Sequence, residues 1–159
     1  REAIFSMLSS RGVVWSGLRV LDLFAGSGGI GIEALSRGAG FAVFVEQNPK
    51  AAEIIRENLK ATKLEEQALV MNCDALSALK RLEGKYRFDY IFMDPPYNQE
   101  LERQALSCLK TCSLIDKQST IIIEASLETS FDYLESMGFL MEKNKQYKTN
   151  RHVFVYRGE

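Results

Sequence analysis

Short apolar runs alternate with segments of helical spacing along most of the chain. The runs of strand length are residues 18–24, 41–46, 68–71, 88–93 and 120–124, and they predict β-strands. Apolar residues at helical spacing predict helices at residues 1–8, 30–35, 49–59, 75–82, 99–112 and 130–137. Because strand and helix alternate five times, the pattern predicts an α/β fold in which a parallel sheet carries helices on both faces.

Two apolar runs near the end of the chain, residues 139–143 and 152–156, have no helical segment between them. Strands this close in sequence pair antiparallel, here through a polar loop around Thr149 and Asn150. No repeat, low-complexity segment or linker divides the 159 residues. The pattern therefore predicts a single domain over residues 1–159, with a mostly parallel sheet that ends in an antiparallel hairpin.

Composition excludes several classes of protein. With 46% apolar and 26% charged residues, the chain can bury a core, which excludes a disordered or fibrous protein. Its uninterrupted apolar runs are far shorter than the roughly 18 residues that span a bilayer. The first residues lack the basic and apolar regions of a signal peptide. We therefore expect a cytoplasmic protein that does not contact membranes, and we expect it to be a monomer.

The three cysteines and the single histidine do not form a metal-binding pattern. Cys108 and Cys112 are four residues apart in a predicted helix, and Cys73 and His152 lie far from them in sequence. Four convergent ligands cannot be assembled from this set. We expect no metal site, and we expect the thiols to be buried small apolar groups in a reducing compartment.

A glycine-rich turn after the first predicted strand indicates a cofactor site. Residues 26–31 fit the pattern G-x-G-x-x-G where strand gives way to helix, so the backbone can bend sharply and a ligand can approach the helix N-terminus. Glu46, twenty residues after Gly26, ends the next strand, where its carboxylate can accept hydrogen bonds from both ribose hydroxyls of an adenosine. This pair suits NAD, FAD or S-adenosylmethionine. Alternatively, the glycines serve only close packing of helix and strand.

Two further carboxylates narrow the choice of cofactor. Asp22, at the end of the first strand, would repel a diphosphate and would favour the ammonium group of a methionine moiety. This favours S-adenosylmethionine, with S-adenosylhomocysteine as its product, over a dinucleotide. Asp74, after the third strand, can accept a hydrogen bond from the exocyclic amine of adenine, and it can equally cap the helix that follows.

Asp94, Pro95, Pro96 and Tyr97 follow the fourth predicted strand. Because ligands bind beyond the carboxyl ends of parallel strands near the switch point, this motif faces the glycine turn. The prolines hold the Asp94 carboxylate and the Pro95 carbonyl rigid, and two acceptors can bind both hydrogens of an exocyclic amine on a base. Those bonds direct the nitrogen lone pair toward a sulfonium methyl group. Tyr97 offers a ring on which an unstacked base can stack. Alternatively, the motif is only a rigid loop with a buried tyrosine.

Four segments of the sequence resemble the bacterial 16S ribosomal RNA guanine-N2 methyltransferases. They are residues 1–5 (REAIF), 22–28 (DLFAGSG), 31–39 (GIEALSRGA) and 94–97 (DPPY). The DPPY signature is shared with adenine-N6 and other amino methyltransferases. The long glycine-helix segment, residues 22–39, is what distinguishes the guanine-N2 family from these. The resemblance extends to residues 147–149. The resemblance implies a Rossmann-like class I methyltransferase fold of seven strands, in which the seventh strand inserts antiparallel.

The resemblance also implies a function for individual residues. The implied catalytic residues are Asp94, Pro95, Pro96 and Tyr97. The residues implied to bind S-adenosylmethionine are Asp22, Phe24, Ala25, Gly26, Ser27, Gly28, Gly31, Glu46, Gln47, Asp74 and Ala75. The implied substrate is a guanine N2 of 16S ribosomal RNA, either as naked RNA or in a small-subunit assembly particle. Family members usually begin with a basic extension that is not seen before Arg1, so we expect this chain to bind cofactor but to methylate RNA poorly.

Charge is distributed unevenly, although the formal net charge is only −1. Residues 143–158 contain five basic residues and no acidic residue. Because phosphate contacts supply much of the affinity for nucleic acid, we predict RNA binding by Lys145, Lys148 and Arg151 at the loop end of the hairpin. The alternative is a solvated hairpin whose aromatic residues face the core.

Three other functions remain open from the sequence. An enzyme with the same chemistry could methylate adenine N6 in DNA or RNA, since the Asp-Pro-Pro-Tyr motif serves that amine too. The glycine turn and Glu46 also fit a dinucleotide-dependent oxidoreductase. A catalytically silent RNA-binding module would keep the basic hairpin without using the motif.

Overall fold

The computed structural model describes residues 1–158. Its strands are β1 (Arg19–Leu23), β2 (Phe41–Val45), β3 (Ala68–Met71), β4 (Tyr90–Met93), β5 (Thr120–Ser126), β6 (Phe139–Gln146) and β7 (Asn150–Arg157). Its α-helices are α1 (Glu2–Ser10), α2 (Gly29–Ser36), α3 (Pro49–Ala61), α4 (Ala75–Leu82) and α5 (Leu101–Leu109). All seven predicted strands are therefore present.

The seven strands form one sheet in the order β3-β2-β1-β4-β5-β7-β6. Strands β1 to β5 run parallel, whereas β7 is antiparallel to both β5 and β6. The strand order reverses between β1 and β4, so the carboxyl ends of these two strands flank the switch point where α/β sheets bind ligands. This topology confirms the predicted Rossmann-like methyltransferase fold with its antiparallel terminal hairpin.

Alternation of side chains along the strands divides the core into two layers. On one face of the sheet, Phe44 and Phe92 pack among residues of α1, α2 and α3. On the other face, Val43, Ile91 and Ile121 pack among residues of α4 and α5. Because both faces are covered, the parallel strands consist of nearly continuous apolar runs.

The start of α3 is fixed by two adjacent residues. The Asn48 side-chain oxygen accepts hydrogen bonds from the backbone N–H groups of Lys50 (2.9 Å) and Ala51 (3.1 Å). Pro49 occupies the first helical position, where no intrahelical partner exists for an N–H group. Removing such a cap destabilises a protein by about 1 kcal/mol. The cap therefore holds the loop that follows β2, which borders the site described below.

The prediction of a helix at residues 130–137 is wrong. The structure has a turn at residues 132–134 and a short 3-10 helix, Glu135–Met137. The Ser130 hydroxyl accepts a hydrogen bond from the Asp132 N–H at 3.3 Å and so competes with helical bonding. Gly138, with a φ of 88°, ends the segment. The hairpin is also longer than predicted, and its register shifts between Met141 and Lys143.

Membrane spans and metal clusters are absent from the part of the chain that the structure describes. No helix within residues 1–158 is long and apolar enough to cross a membrane. The three cysteines are partly buried free thiols. No group of three or more His, Cys, Asp or Glu side chains in that range could hold a metal ion.

Candidate active site

A cavity of about 510 Å³ opens at the carboxyl ends of β1, β2, β3 and β4. This volume lies within the range of small-molecule sites. The predicted site residues that line it are Phe24, Gly26, Glu46, Gln47, Ala75, Asp94, Pro95, Pro96 and Tyr97. Both predicted groups of residues therefore share one cavity. Sequence reasoning did not identify four further lining residues, Val45, Cys73, Gln99 and Leu101, because apolar and neutral polar side chains carry no distinctive chemical signal.

The turn after β1 has an unusual backbone. Phe24 and Gly26 have φ angles of 66° and 59°, in the left-handed region that favours glycine. An added Cβ at Gly26 would meet no atom within 4 Å, so a glycine is needed here for the backbone conformation and not for packing. The Ala25 N–H donates to the Val45 carbonyl at 2.8 Å, which joins the turn to β2. The turn thus presents its backbone to the cavity.

The two later glycines of the motif are constrained by packing. A Cβ at Gly31 would lie 2.4 Å from the ring of Phe44, and a Cβ at Gly28 would lie 3.2 Å from Ile55. Both glycines are buried and do not line the cavity, and Ser27 does not line it either. Close packing of α2 on β2 therefore explains Gly31, so the packing alternative holds for this part of the motif. Gly28 has a φ of 84°, so it needs glycine for its backbone conformation as well as for packing against Ile55.

Asp22 lies beneath the turn and is only 3% exposed. One of its carboxylate oxygens accepts a hydrogen bond from the Gly31 N–H at 3.1 Å. Burial raises the pKa of Asp22 to about 8, and the nearby carboxylates of Asp94 and Glu46 add to the increase. A buried carboxyl group in this state is stabilised in its ionised form by a neighbouring cation. Asp22 is not among the residues that line the cavity, so its contact with the ammonium group of a methionine moiety stays a prediction.

Glu46 joins the loops that follow β1 and β2. One carboxylate oxygen accepts from the Gly26 N–H at 2.7 Å and the other accepts from the Asn48 N–H at 2.8 Å. An ionised carboxylate has about four lone-pair positions, so the side chain is fixed while it keeps acceptor capacity for two hydroxyl groups. Its position on the cavity wall agrees with the predicted role in ribose binding.

Asp74 caps α4. Its carboxylate accepts hydrogen bonds from the backbone N–H (3.1 Å) and the hydroxyl (2.7 Å) of Ser77. These bonds lower the pKa of Asp74 below its ordinary value. Asp74 itself does not line the cavity, whereas its neighbours Cys73 and Ala75 do. The capping role is confirmed, and the contact with adenine stays a prediction.

The motif after β4 forms the wall opposite the glycine turn. Asp94 and Tyr97 are solvent-exposed, with Tyr97 at 49%, whereas Pro95 is buried. Within residues 1–158, no hydrogen bond occupies the Pro95 carbonyl oxygen. Although part of Asp94 reaches solvent, neighbouring protein atoms partly desolvate its carboxyl group and raise its pKa to about 6, and the negative charge of Glu124 adds to this increase. Two acceptors next to the cavity are thus available for a ligand amine.

Two residues next to Asp94 were missed by sequence reasoning. Glu124 pairs in register with His152 on β7, and His152 Nε2 lies 3.3 Å from Glu124 Oε1. His152 is 4% exposed, and its Nδ1 is buried without a hydrogen-bond partner. This pair depends on the insertion of β7 next to β5, so only knowledge of the strand order could have revealed it.

The basic hairpin residues differ in their surroundings. Lys145 and Lys148 are exposed, as phosphate contact requires. Arg151 instead donates a hydrogen bond to the Thr129 carbonyl, and its guanidinium carbon lies 5.0 Å from the centre of the Phe131 ring. Arg151 is thus partly buried and bound to internal groups, although its Nε has no hydrogen-bond partner within residues 1–158. Phosphate contact by Arg151 stays a prediction.

The sequence profile of a protein family described as "Conserved hypothetical protein 95" matches residues 1–156. The chain belongs to this family. Among family relatives, the chain is 36% identical to the Bacillus subtilis protein YlbH, over 99% of this chain and 83% of that protein. It is also 36% identical to "Ribosomal RNA small subunit methyltransferase D" of Haemophilus influenzae, over 77% of this chain. The aligned region spans 64% of the length of the H. influenzae protein.

Solved structures agree with this family assignment. A conserved hypothetical protein from Streptococcus pyogenes superimposes with a TM-score of 0.86 and 36% identity, and the match covers 99% of this chain and 94% of that one. The family predicted from the glycine-helix and Asp-Pro-Pro-Tyr segments is therefore confirmed. The names of these relatives do not specify which base is modified.

Proposed function

We propose that this chain transfers a methyl group from S-adenosylmethionine to the exocyclic N2 amine of a guanine in 16S ribosomal RNA. The observation that carries the proposal is one cavity with two walls: the glycine turn and Glu46 on one side, and the Asp94 to Tyr97 motif on the other. A cofactor site and an amine-binding site in the same space fit a direct transfer between two bound reactants.

The residues present fit S-adenosylmethionine. Asp22 is buried with a raised pKa, and it suits the ammonium group of the methionine moiety. Glu46 is fixed on the cavity wall with acceptor capacity for ribose hydroxyls, and Phe24 and Ala75 add apolar contact surface. A diphosphate has no cationic group that would stabilise the ionised form of Asp22, as the ammonium group of a methionine moiety does, which disfavours a dinucleotide. When bound, the cofactor supplies an electrophilic methyl group on sulfur.

The motif after β4 is suited to activate an amine that is a weak nucleophile. The Asp94 carboxylate and the Pro95 carbonyl can each accept one hydrogen from the amine, so that the nitrogen lone pair is localised and directed at the methyl group. Stacking of the base on Tyr97 would supply roughly 1–3 kcal/mol of binding free energy. The base must leave its own stack to reach this position.

Small-subunit ribosomal RNA is supported as the substrate by the name of the H. influenzae relative. Lys145 pairs in register with His152, so this exposed lysine belongs to the same row of the sheet as Glu124 and His152. A basic side chain at this place can contact a phosphate of an RNA strand whose base enters the site. We further propose that the protein acts in the cytoplasm as a monomer, on naked RNA or on an assembly particle.

Ligand binding and product mapping together test the proposal. S-adenosylhomocysteine should raise the melting temperature of the protein, whereas NAD and NADP should not. Offered naked 16S RNA, small-subunit particles and DNA with labelled cofactor, the protein should produce N2-methylguanosine in RNA, detectable by mass mapping of nucleotides. Stabilisation by NAD alone would contradict the methyltransferase assignment. If the product is N6-methyladenosine, the target base is adenine and not guanine.

A further inference from the structure

A row of polar side chains crosses four neighbouring strands beside the cavity. Asp94 follows Met93, which is in register with Ile123 of β5, so the next residues along, Asp94 and Glu124, are neighbours. Glu124 is in register with His152 of β7, and His152 is in register with Lys145 of β6. Adjacent strands are about 4.8 Å apart and residues in register share a face of the sheet, so the row is continuous.

Glu124 is held in an ionised, oriented state within this row. His152 Nε2 lies 3.3 Å from its carboxylate, and this hydrogen bond is the main reason why the pKa of Glu124 is below its ordinary value. His152 cannot easily move, because it is 4% exposed and its ring contacts the edge of Tyr147 at 4.8 Å between ring centres. The Glu124 side chain retains 25% exposure, so a ligand can reach it.

Glu124 lies on the side of Asp94 that faces away from the cofactor cavity. The cavity is lined by residues that follow β1 to β4, and Glu124 on β5 is not among them. The attacking nitrogen of an amine bound at Asp94 must face the methyl donor. The rest of the base then lies on the side of this nitrogen that is away from the donor. The ends of β5 and β7, with Glu124, lie on the other side of Asp94 and offer a surface over which the ring of the base can extend.

We propose that Glu124 selects guanine by accepting a hydrogen bond from the N1–H group of the target base. This inference rests on the proposed function. In guanine, N1–H and the N2 amine are adjacent donors on one edge, so Asp94 and Glu124 can bind them side by side. Adenine carries a lone pair at N1 and would place it against a carboxylate. A site that binds a hydrogen-bond donor of its substrate discriminates strongly against an analogue that lacks this N–H group.

Replacing the target guanine by 2-aminopurine tests this role, because that base keeps the N2 amine and lacks O6 and, with it, the N1–H group; the variant below separates the two losses. The substrate is a small-subunit particle reconstituted with 2-aminopurine at the guanine mapped as the methylation site. In single-turnover assays at pH 8, where Asp94 is ionised, we expect the protein to methylate guanine at least tenfold faster than 2-aminopurine. Glu124→Gln should slow guanine methylation and reduce this preference to less than about threefold.

Glu128→Gln is the matched control, since Glu128 is an exposed carboxylate in the loop after the same strand. It should keep the preference of the unaltered protein. Equal rates on guanine and 2-aminopurine in the unaltered protein would overturn the inference without any variant, and so would an unchanged preference in a folded Glu124→Gln protein. If the unaltered protein forms no N2-methylguanosine at all, the proposed function fails instead, which product mapping distinguishes.

Discussion

Cofactor binding should release a proton from Asp22. In the free protein, burial raises the pKa of this carboxyl group from 3.8 to about 8. At pH 7, about 0.9 of the molecules then carry a proton on Asp22, whereas a bound ammonium group would favour the ionised carboxylate. Binding of S-adenosylhomocysteine, which has the same ammonium group, should therefore release nearly one proton at pH 7 and almost none at pH 9.

Calorimetry in buffers with different ionisation enthalpies measures this proton directly. The apparent binding enthalpy at pH 7 should change with the buffer in the unaltered protein and should not change in Asp22→Asn. Asp94→Asn is the control, because it removes one carboxylate that raises the pKa of Asp22 but leaves burial, the main cause, unchanged. Its binding enthalpy should still change with the buffer. A binding enthalpy that is independent of the buffer in the unaltered protein would refute the assignment of the ammonium group to Asp22.

The same carboxyl group makes stability depend on pH. Because the pKa of Asp22 is higher in the folded than in the unfolded protein, the folded protein holds more protons between about pH 4 and pH 8. The free energy of unfolding should fall as the pH rises through this window, by up to about 6 kcal/mol from this group, since one pKa unit corresponds to about 1.4 kcal/mol. Urea unfolding at pH 5 and pH 9 should show a smaller loss in Asp22→Asn. Equal losses in both proteins would contradict the burial argument.

Substitutions at Asp94, Tyr97 and Gly31 test three separate parts of the molecule. Asp94→Ala should slow methyl transfer roughly a hundredfold and leave the affinity for S-adenosylhomocysteine unchanged. In the unaltered protein, the rate of methyl transfer should rise with pH through about 6 as Asp94 ionises. Single-turnover assays measure both rates. Tyr97→Ala should weaken productive RNA binding by about 1–3 kcal/mol in titrations, and Tyr97→Phe should retain most of it. Gly31→Ala should lower the free energy of unfolding in urea by about 1–3 kcal/mol, because the added methyl group would overlap Phe44. Ser36→Ala, at an exposed position of the same helix, should leave this free energy unchanged.

Local sequence signals were sufficient for most of the fold. The alternation of strand and helix predicted the parallel sheet, and the short separation of the last two strands predicted the hairpin. The helix prediction for residues 130–137 failed because a turn and a helix can bury the same pair of residues. Phe131 and Leu134 are both buried, as they would be in a helix. Apolar spacing alone does not distinguish these two conformations when a serine competes for backbone hydrogen bonds.

The site shows the same division between local and long-range information. Gly26, Glu46 and Asp94 each follow a strand, so their meeting at one edge was predictable from the parallel order. The sequence did not separate Gly26 from Gly31, because the role of Gly31 depends on the ring of Phe44 across the interface. Glu124 and His152 are 28 residues apart and meet only through strand insertion.

The position of β7 has a consequence for protein synthesis. This strand follows the other six along residues 1–158, yet it lies inside the sheet between β5 and β6. Until residues 150–157 have left the ribosome, the apolar edge of β5 has no antiparallel partner and presents unpaired backbone groups. At roughly 5–20 residues per second, this exposure lasts for seconds and invites chaperones or aggregation.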